Sequence, residues 1–168
     1  MKNELLFTIG LPRSGKSTRC RELVSLYRNL DKTLTIYNED SLRLSMGCRY
    51  NSWTEDMVET MSKYIIKTLL IDNNVIIDET HTTEKSIKSV YLIEPNATPI
   101  FVSTDLDTCI HRAIENKQSD LVVPIRRMYQ NIESLKIKYG NIDKAIENIR
   151  KEAIKEIEEH KQFQRIVR

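Results

Sequence analysis

Eight consecutive residues, Gly10-Leu11-Pro12-Arg13-Ser14-Gly15-Lys16-Ser17, satisfy G-x-x-x-x-G-K-[ST] at every fixed position. By average residue usage those positions meet by chance roughly once in two hundred chains of this length. A loop of this composition turns successive backbone N–H groups toward a phosphate, and the helix behind it adds the positive end of its dipole. The chemistry of each residue then suggests its task. Gly10, Pro12, Arg13, Ser14 and Gly15 shape the cradle, the Lys16 ammonium spans the outer phosphates, Ser17 ligates Mg²⁺ and Thr18 reaches the α-phosphate. Such sites also use a carboxylate at the end of a neighbouring strand, and Asp78 follows the apolar run Val75-Ile76-Ile77. The implied cofactors are ATP, or another nucleoside triphosphate, and Mg²⁺. The plainer reading of Asp78 is a strand-end carboxylate that caps a turn.

A phosphate cradle serves switches, hydrolases and kinases alike. A guanine-reading switch needs Asp-x-x-Gly and Asn-Lys-x-Asp; Asp78-Glu79-Thr80-His81 lacks the glycine, and Asn116-Lys117-Gln118-Ser119-Asp120 carries its aspartate one residue late. Asp105-Leu106-Asp107-Thr108 imitates an acylphosphate-forming loop, but Thr108 stands where glycine is needed, so Asp105 or Asp107 suits a helix N-cap better. His81, His111 and His160 have no metal-ligand spacing. A kinase must hold a hydroxyl in line with the γ-phosphate and take its proton. In Tyr37-Asn38-Glu39-Asp40-Ser41-Leu42-Arg43, a helix beginning near Glu39 sets Asp40 and Arg43 on one face. The carboxylate can accept the proton, and the guanidinium can grip a phosphate on the same acceptor. On spacing alone, Asp40 as a helix cap and Arg43 as a solvated side chain fit equally well.

The elements that must position these residues are readable from hydrophobic period, which alternates between short β-rich runs and longer 3.6-residue stretches. Strands are predicted at Leu5–Ile9, Thr33–Tyr37, Asn74–Asp78 and Thr98–Thr104, with helical sequence between them and hence right-handed crossovers. One helix, N-capped by Thr54, carries Met57, Val58, Met61, Tyr64, Ile65 and Leu69 as a core-facing stripe. A covering helix at about 141–160 turns Ile142, Ala145, Ile146, Ile149, Ala153 and Ile157 inward and pairs Glu147 with Lys151 outside.

Composition bounds the rest. A chain of 168 residues, 40% hydrophobic, supports one core. With 26 basic and 24 acidic residues its formal charge is +2, so any nucleic-acid footprint is local. Cys20, Cys48 and Cys109 suggest neither a disulfide framework nor a zinc site. No run approaches the roughly 18 apolar residues of a membrane span. A cytoplasmic protein without a membrane partner is expected.

The ensemble "TIGLPRSGKST", "YNEDSLR", "VIIDETH", "CIHRAIENKQ" and "VVPIRRMY" resembles the kinase domain of the phage-type polynucleotide 5′-hydroxyl kinases, over residues 3 to about 134. The resemblance implies an α/β P-loop kinase fold, with a four-stranded parallel sheet ordered 2-3-1-4, flanking helices and a helical lid at about 112–123, in one domain spanning 1–168. It implies Asp40 as general base, Arg43 on the acceptor's 3′-phosphate, Glu79 and Thr80 shaping the acceptor site, and Arg112 as a lid arginine on the transferring phosphoryl. The implied partners are 5′-hydroxyl ends of DNA or RNA. Arg13 stands where that family usually has glycine, Lys117 is an approximate match to its second lid arginine, and the phosphatase domain of the familiar phage enzyme is not expected here. The same machinery also fits a kinase of small molecules or of hydroxymethylated bases in DNA, and a regulatory ATPase module.

Overall fold

The computed structural model describes residues 2–48 and 52–166. Strand β1 (Leu5–Ile9) leads through the glycine-rich loop into α1 (Lys16–Asn29). There follow β2 (Leu34–Tyr37), α2 (Glu39–Ser45), α3 (Ser52–Asp72), β3 (Asn74–Ile77), α4 (Glu84–Ile93), β4 (Thr98–Phe101) and α5 (Leu106–Glu115). A 3-10 turn at Ser119–Leu121 then precedes α6 (Val122–Tyr139) and α7 (Ile142–Ile166). The four strands form one parallel sheet in the order β2-β3-β1-β4. This is the predicted α/β P-loop kinase architecture, with helices on both faces of the sheet.

Register brings the site together. Tyr37 and Phe7 both align with Ile77, and Ile9 aligns with Phe101, so the chain leaves β1, β2, β3 and β4 along one carboxyl edge. β3 and β4 stop shorter than expected, yet their ladders continue one bond further, from Asp78 N to Tyr37 O (2.9 Å) and from Val102 N to Ile9 O (2.8 Å). Asp78 is therefore anchored to the sheet although it lies outside the strand.

Alternation along β1 divides the core. Leu5, Phe7 and Ile9 face a cluster completed by Val75, Ile77, Val90, Tyr91 and residues of α7, while Leu6 joins Ile76, Leu34, Cys20 and Leu23 under α1. Both faces are covered, which explains why β1 and β3 read as continuous apolar runs. A third cluster, Leu11, Cys109, Ala113, Ile125 and Ile132, fastens the glycine-rich loop to α5 and α6.

Two helix expectations need correction. The stripe on α3 is rotated: Val58 and Ile66 are buried and Ile65 and Leu69 pack on the core, but Met61 and Tyr64 are exposed. One residue of slippage in a 3.6 period turns the face by about 100°, and methionine and tyrosine tolerate the solvated side. Thr54 lies inside α3, which already begins at Ser52. The C-terminal helix runs on to Ile166, buries Ala145, Ile146, Ile149 and Ala153, and joins Glu147 to Lys151 at 2.6 Å. It covers α4, where Lys88 pairs with Glu156 at 2.7 Å. Among the described residues no helix is long and apolar enough to cross a membrane.

Candidate active site

The loop from Gly10 to Ser17 is tied down at two points. Gly10 N donates to Thr80 O at 3.0 Å, and the Thr104 hydroxyl donates to Ser14 O at 2.7 Å. Gly10 is required by space: a Cβ there would stand 2.8 Å from Val102 O. Gly15 sits at φ 102 as the residue before α1, a left-handed conformation that favours glycine. Lys16 is buried and its ammonium donates to Leu11 O at 2.6 Å; burial lowers its pKa, partly offset by Asp78. Ser14 Oγ is buried in this loop with no hydrogen-bond partner among the described residues.

Two clefts meet at Lys16 and Ser17. The first, about 660 Å³, is basic: Arg13, Lys16, Arg21 and Arg112 line it together with Ser14 and Thr18. The second, about 510 Å³, is acidic on one wall and apolar on the other. Asp40, Asp78 and Glu79 face it with Arg43 and Thr80, and Pro12, Leu121, Pro124 and Met128 close it. The structure thus gathers Pro12, Lys16, Ser17, Asp40, Arg43, Asp78, Glu79 and Thr80 around one cavity, and Arg13, Ser14, Gly15, Thr18 and Arg112 around the adjoining one. Lys117, exposed at the turn after α5, lines neither.

Neither half of the plain alternative for Asp40 and Arg43 holds. The N-cap of α2 is Asn38, whose carboxamide oxygen accepts from Ser41 N at 3.0 Å and whose amide donates to Asp78 O at 2.7 Å. Asp40 is left 72% exposed at the cleft, and Arg43, only 11% exposed, is not solvated. Its guanidinium donates to Asp40 at 2.7 Å and to both oxygens of Glu55 at 2.9 and 2.7 Å, with Glu39 at 3.4 Å. Glu39 and Glu55 were missed as site residues: Glu39 lies one helical turn before Arg43, where the same spacing rule could have found it, whereas Glu55 comes from a different helix, α3, which no spacing rule relates to α2. Asp105, by contrast, is the N-cap of α5 as its motif suggested, accepting from Thr108 N at 2.8 Å.

Burial governs the acids and the histidine beneath the sheet edge. Glu79 is pushed up to about 8 by burial and by neighbouring Glu39. His81 donates from Nδ1 to Thr8 O at 2.8 Å and packs edge-on against Phe7; burial drives its pKa down to about 4. Thr8 ties the same segment from inside, donating to Glu79 O at 2.6 Å and accepting from Glu79 N at 3.0 Å. Cys20, beneath Asp78, is pushed up to about 12 by burial and that carboxylate, so it is an inert thiol.

Chemically, the arrangement offers a cradle of backbone donors with several cations on one side and a proton-accepting carboxylate beside a guanidinium on the other. Among the described residues no group of three or more His, Cys, Asp or Glu is placed to hold a metal ion. A hydroxyl at Ser17 and a carboxylate at Asp78 beside one cavity suit a hard cation that keeps most of its waters and takes phosphate oxygens.

The sequence matches the family described as Chromatin associated protein KTI12 over residues 4–159. No curated protein sequence matches the chain. The fold is similar to a chain of the Pnkp1/Rnl/Hen1 RNA repair complex (TM-score 0.60, 18% identity, 77% of this chain and 46% of that one). It is also similar to the Mycobacterium tuberculosis APS kinase CysC in complex with AMPPNP and APS (0.58, 14%, 67% and 69%). A further likeness is to Chaetomium thermophilum Kti12 in complex with ADP-AlF3 (0.53, 20%, 66% and 68%). The chain spans less than half the length of the RNA-repair chain it resembles.

Proposed function

The chain belongs to the family described as Chromatin associated protein KTI12, and on that footing we propose that it is a Mg²⁺-dependent nucleoside-triphosphate phosphotransferase whose acceptor is the 5′-hydroxyl of a DNA or RNA end. The observation that carries this is a walled cavity opposite the cradle, in which Asp40 and Arg43 face Lys16 and Ser17. A pure hydrolase has no use for such a wall. In this reading the triphosphate occupies the basic cleft, with its outer phosphates on the loop N–H groups, Lys16 and Arg112, while Thr18 reaches the α-phosphate. Ser17 and Asp78 would hold Mg²⁺, which supplies charge neutralisation between the outer phosphates. Asp40 takes the hydroxyl proton, Arg43 holds the acceptor's 3′-phosphate, and Glu79 with Thr80 shapes the wall around the sugar. The RNA-repair chain is a relative in fold, and "YNEDSLR" supports the polynucleotide acceptor. Radiolabelled γ-phosphate transfer to a panel of 5′-hydroxyl oligonucleotides, nucleosides and hydroxymethylated duplexes tests it. Labelling of a small molecule or a modified base, with oligonucleotide ends untouched, would overturn the acceptor.

A specific observation favours a second reading. Arg43 is already engaged by carboxylates, and a phosphate must displace Glu55 or Asp40 to reach it. The family match and the Kti12 structure with ADP-AlF3 suit nucleotide hydrolysis coupled to a partner. Steady ADP release unaffected by any acceptor in the panel would select that reading.

A further inference from the structure

Arg13 occupies the tip of the glycine-rich loop at φ 64, a left-handed backbone conformation unfavourable for a residue that bears a side chain. Glycine would adopt it freely, so the loop tolerates strain to carry this side chain. The guanidinium lines the basic cleft and reaches across to the lid, where Nη2 donates to Gln118 Oε1. The lid returns the contact: Arg112 Nη1 donates to Arg13 O at 3.1 Å. Loop tip and lid are thus tied twice, and both ties involve arginines that line the same cleft.

The partners matter. Arg43 is held by charged carboxylates, but Arg13 rests on a neutral carboxamide. Among the described residues the one carboxylate lining the basic cleft, Glu22, is paired with Arg19 at 3.1 Å. A phosphate adds a full negative charge and presents two oxygens at once to the planar fork, neither of which the single oxygen of a neutral carboxamide offers. Exchanging Gln118 for a phosphate is therefore downhill, whereas the same exchange at Arg43 is nearly balanced.

We propose that Arg13 is a further catalytic residue, which leaves Gln118 for the outer phosphates of the bound nucleotide and offsets the charge that gathers there during transfer. This rests on the reading that a triphosphate occupies the basic cleft. In the step itself the bond from the γ-phosphorus to the β–γ bridging oxygen breaks and one to the acceptor oxygen forms. The acceptor's proton passes to Asp40, and the nucleoside diphosphate departs with the electron pair. Arg13 exchanges no bond; it acts on charge alone, so its effect is greatest where the charge is most dispersed.

The test compares binding of ADP with binding of ADP plus aluminium fluoride, a mimic of the transferring phosphoryl, on the full chain and on Arg13→Gly, Arg13→Lys and Gln118→Ala, alongside turnover. Arg13→Gly relieves the backbone strain, so misfolding does not confound it. The expected result is a loss of about 10²-fold or more in affinity for the mimic and in turnover, with ADP affinity changed by no more than about threefold. Arg13→Lys recovers little, because an ammonium lacks the fork. Gln118→Ala matches the parent in both. Arg13→Gly binding the mimic like the parent, or Gln118→Ala losing as much as Arg13→Gly, overturns the proposal and leaves Arg13 as a lid tie. A parent protein that prefers the mimic through Arg13 yet labels no 5′-hydroxyl end sinks the acceptor reading while supporting Arg13. If the parent binds neither nucleotide form, both fall.

Discussion

Arg43 holds Glu55 through two parallel bonds, Nε to Oε1 at 2.9 Å and Nη2 to Oε2 at 2.7 Å, and so fastens α2 to α3. Removing the guanidinium leaves Glu39, Asp40 and Glu55 facing one another. Arg43→Ala is expected to cost about 1–3 kcal/mol of stability, less than for a fully buried pair because Glu55 is 39% exposed. Adding Glu55→Ala recovers part of it. Urea unfolding of the single and double variants checks this; additive losses would mean that the pair is not coupled.

The same arginine distinguishes acceptors. A nucleoside 3′-monophosphate is expected to be phosphorylated better than the bare nucleoside, and Arg43→Ala narrows that gap by less than the about 1.5–3 kcal/mol of a full charge-assisted hydrogen bond, because the phosphate must displace a carboxylate. Initial rates at subsaturating acceptor measure it. Equal reaction of both acceptors, unchanged by Arg43→Ala, would return the site to a small-molecule kinase or a hydrolase.

Asp40→Asn preserves shape and removes the base. Nucleotide affinity is expected to hold while transfer falls by about 10²-fold or more. Parallel loss of binding and turnover would speak for a structural role in the Arg43 cluster instead.

Gly10 approaches the sheet too closely for a side chain, since its Cβ would meet Val102 O at 2.8 Å. Backbone must move to admit one, so Gly10→Ala is expected to cost about 1–3 kcal/mol and to weaken nucleotide binding by displacing the cradle. Calorimetric titration with a non-hydrolysable triphosphate tests the second half.

His81 makes stability depend on pH. Its pKa falls from 6.5 when unfolded to about 4 in the folded chain, because burial disfavours the imidazolium. Between those values the unfolded chain binds the extra proton, so the contribution is complete above pH 6.5 and is lost as pH drops toward 4. The shift corresponds to roughly 3 kcal/mol. His81→Asn, an amino acid that accepts the local φ of 39, should flatten the unfolding free energy across this window. An unchanged pH slope would show that His81 does not titrate there.

Much was decided locally and could be read from the chain. The cradle follows from glycines at fixed offsets, the parallel strands from the alternation of apolar runs with helical stretches, and Asp40 beside Arg43 from helical period, while the strand order came from the family resemblance. Each rests on interactions between residues near in sequence, where backbone geometry sets distance. What the sequence left open depends on residues that meet only after folding. Glu55 captures Arg43 from 12 residues away, and Gln118 accepts from Arg13 across 105 residues. Thr8 fixes the segment carrying Glu79 from 71 residues away. The rotation of α3 likewise escaped, because only packing against β3 selected the side of the helix that is buried. Tertiary contact also set the titration of the site, since burial at the sheet edge pushes the pKa of Glu79 up and that of His81 down.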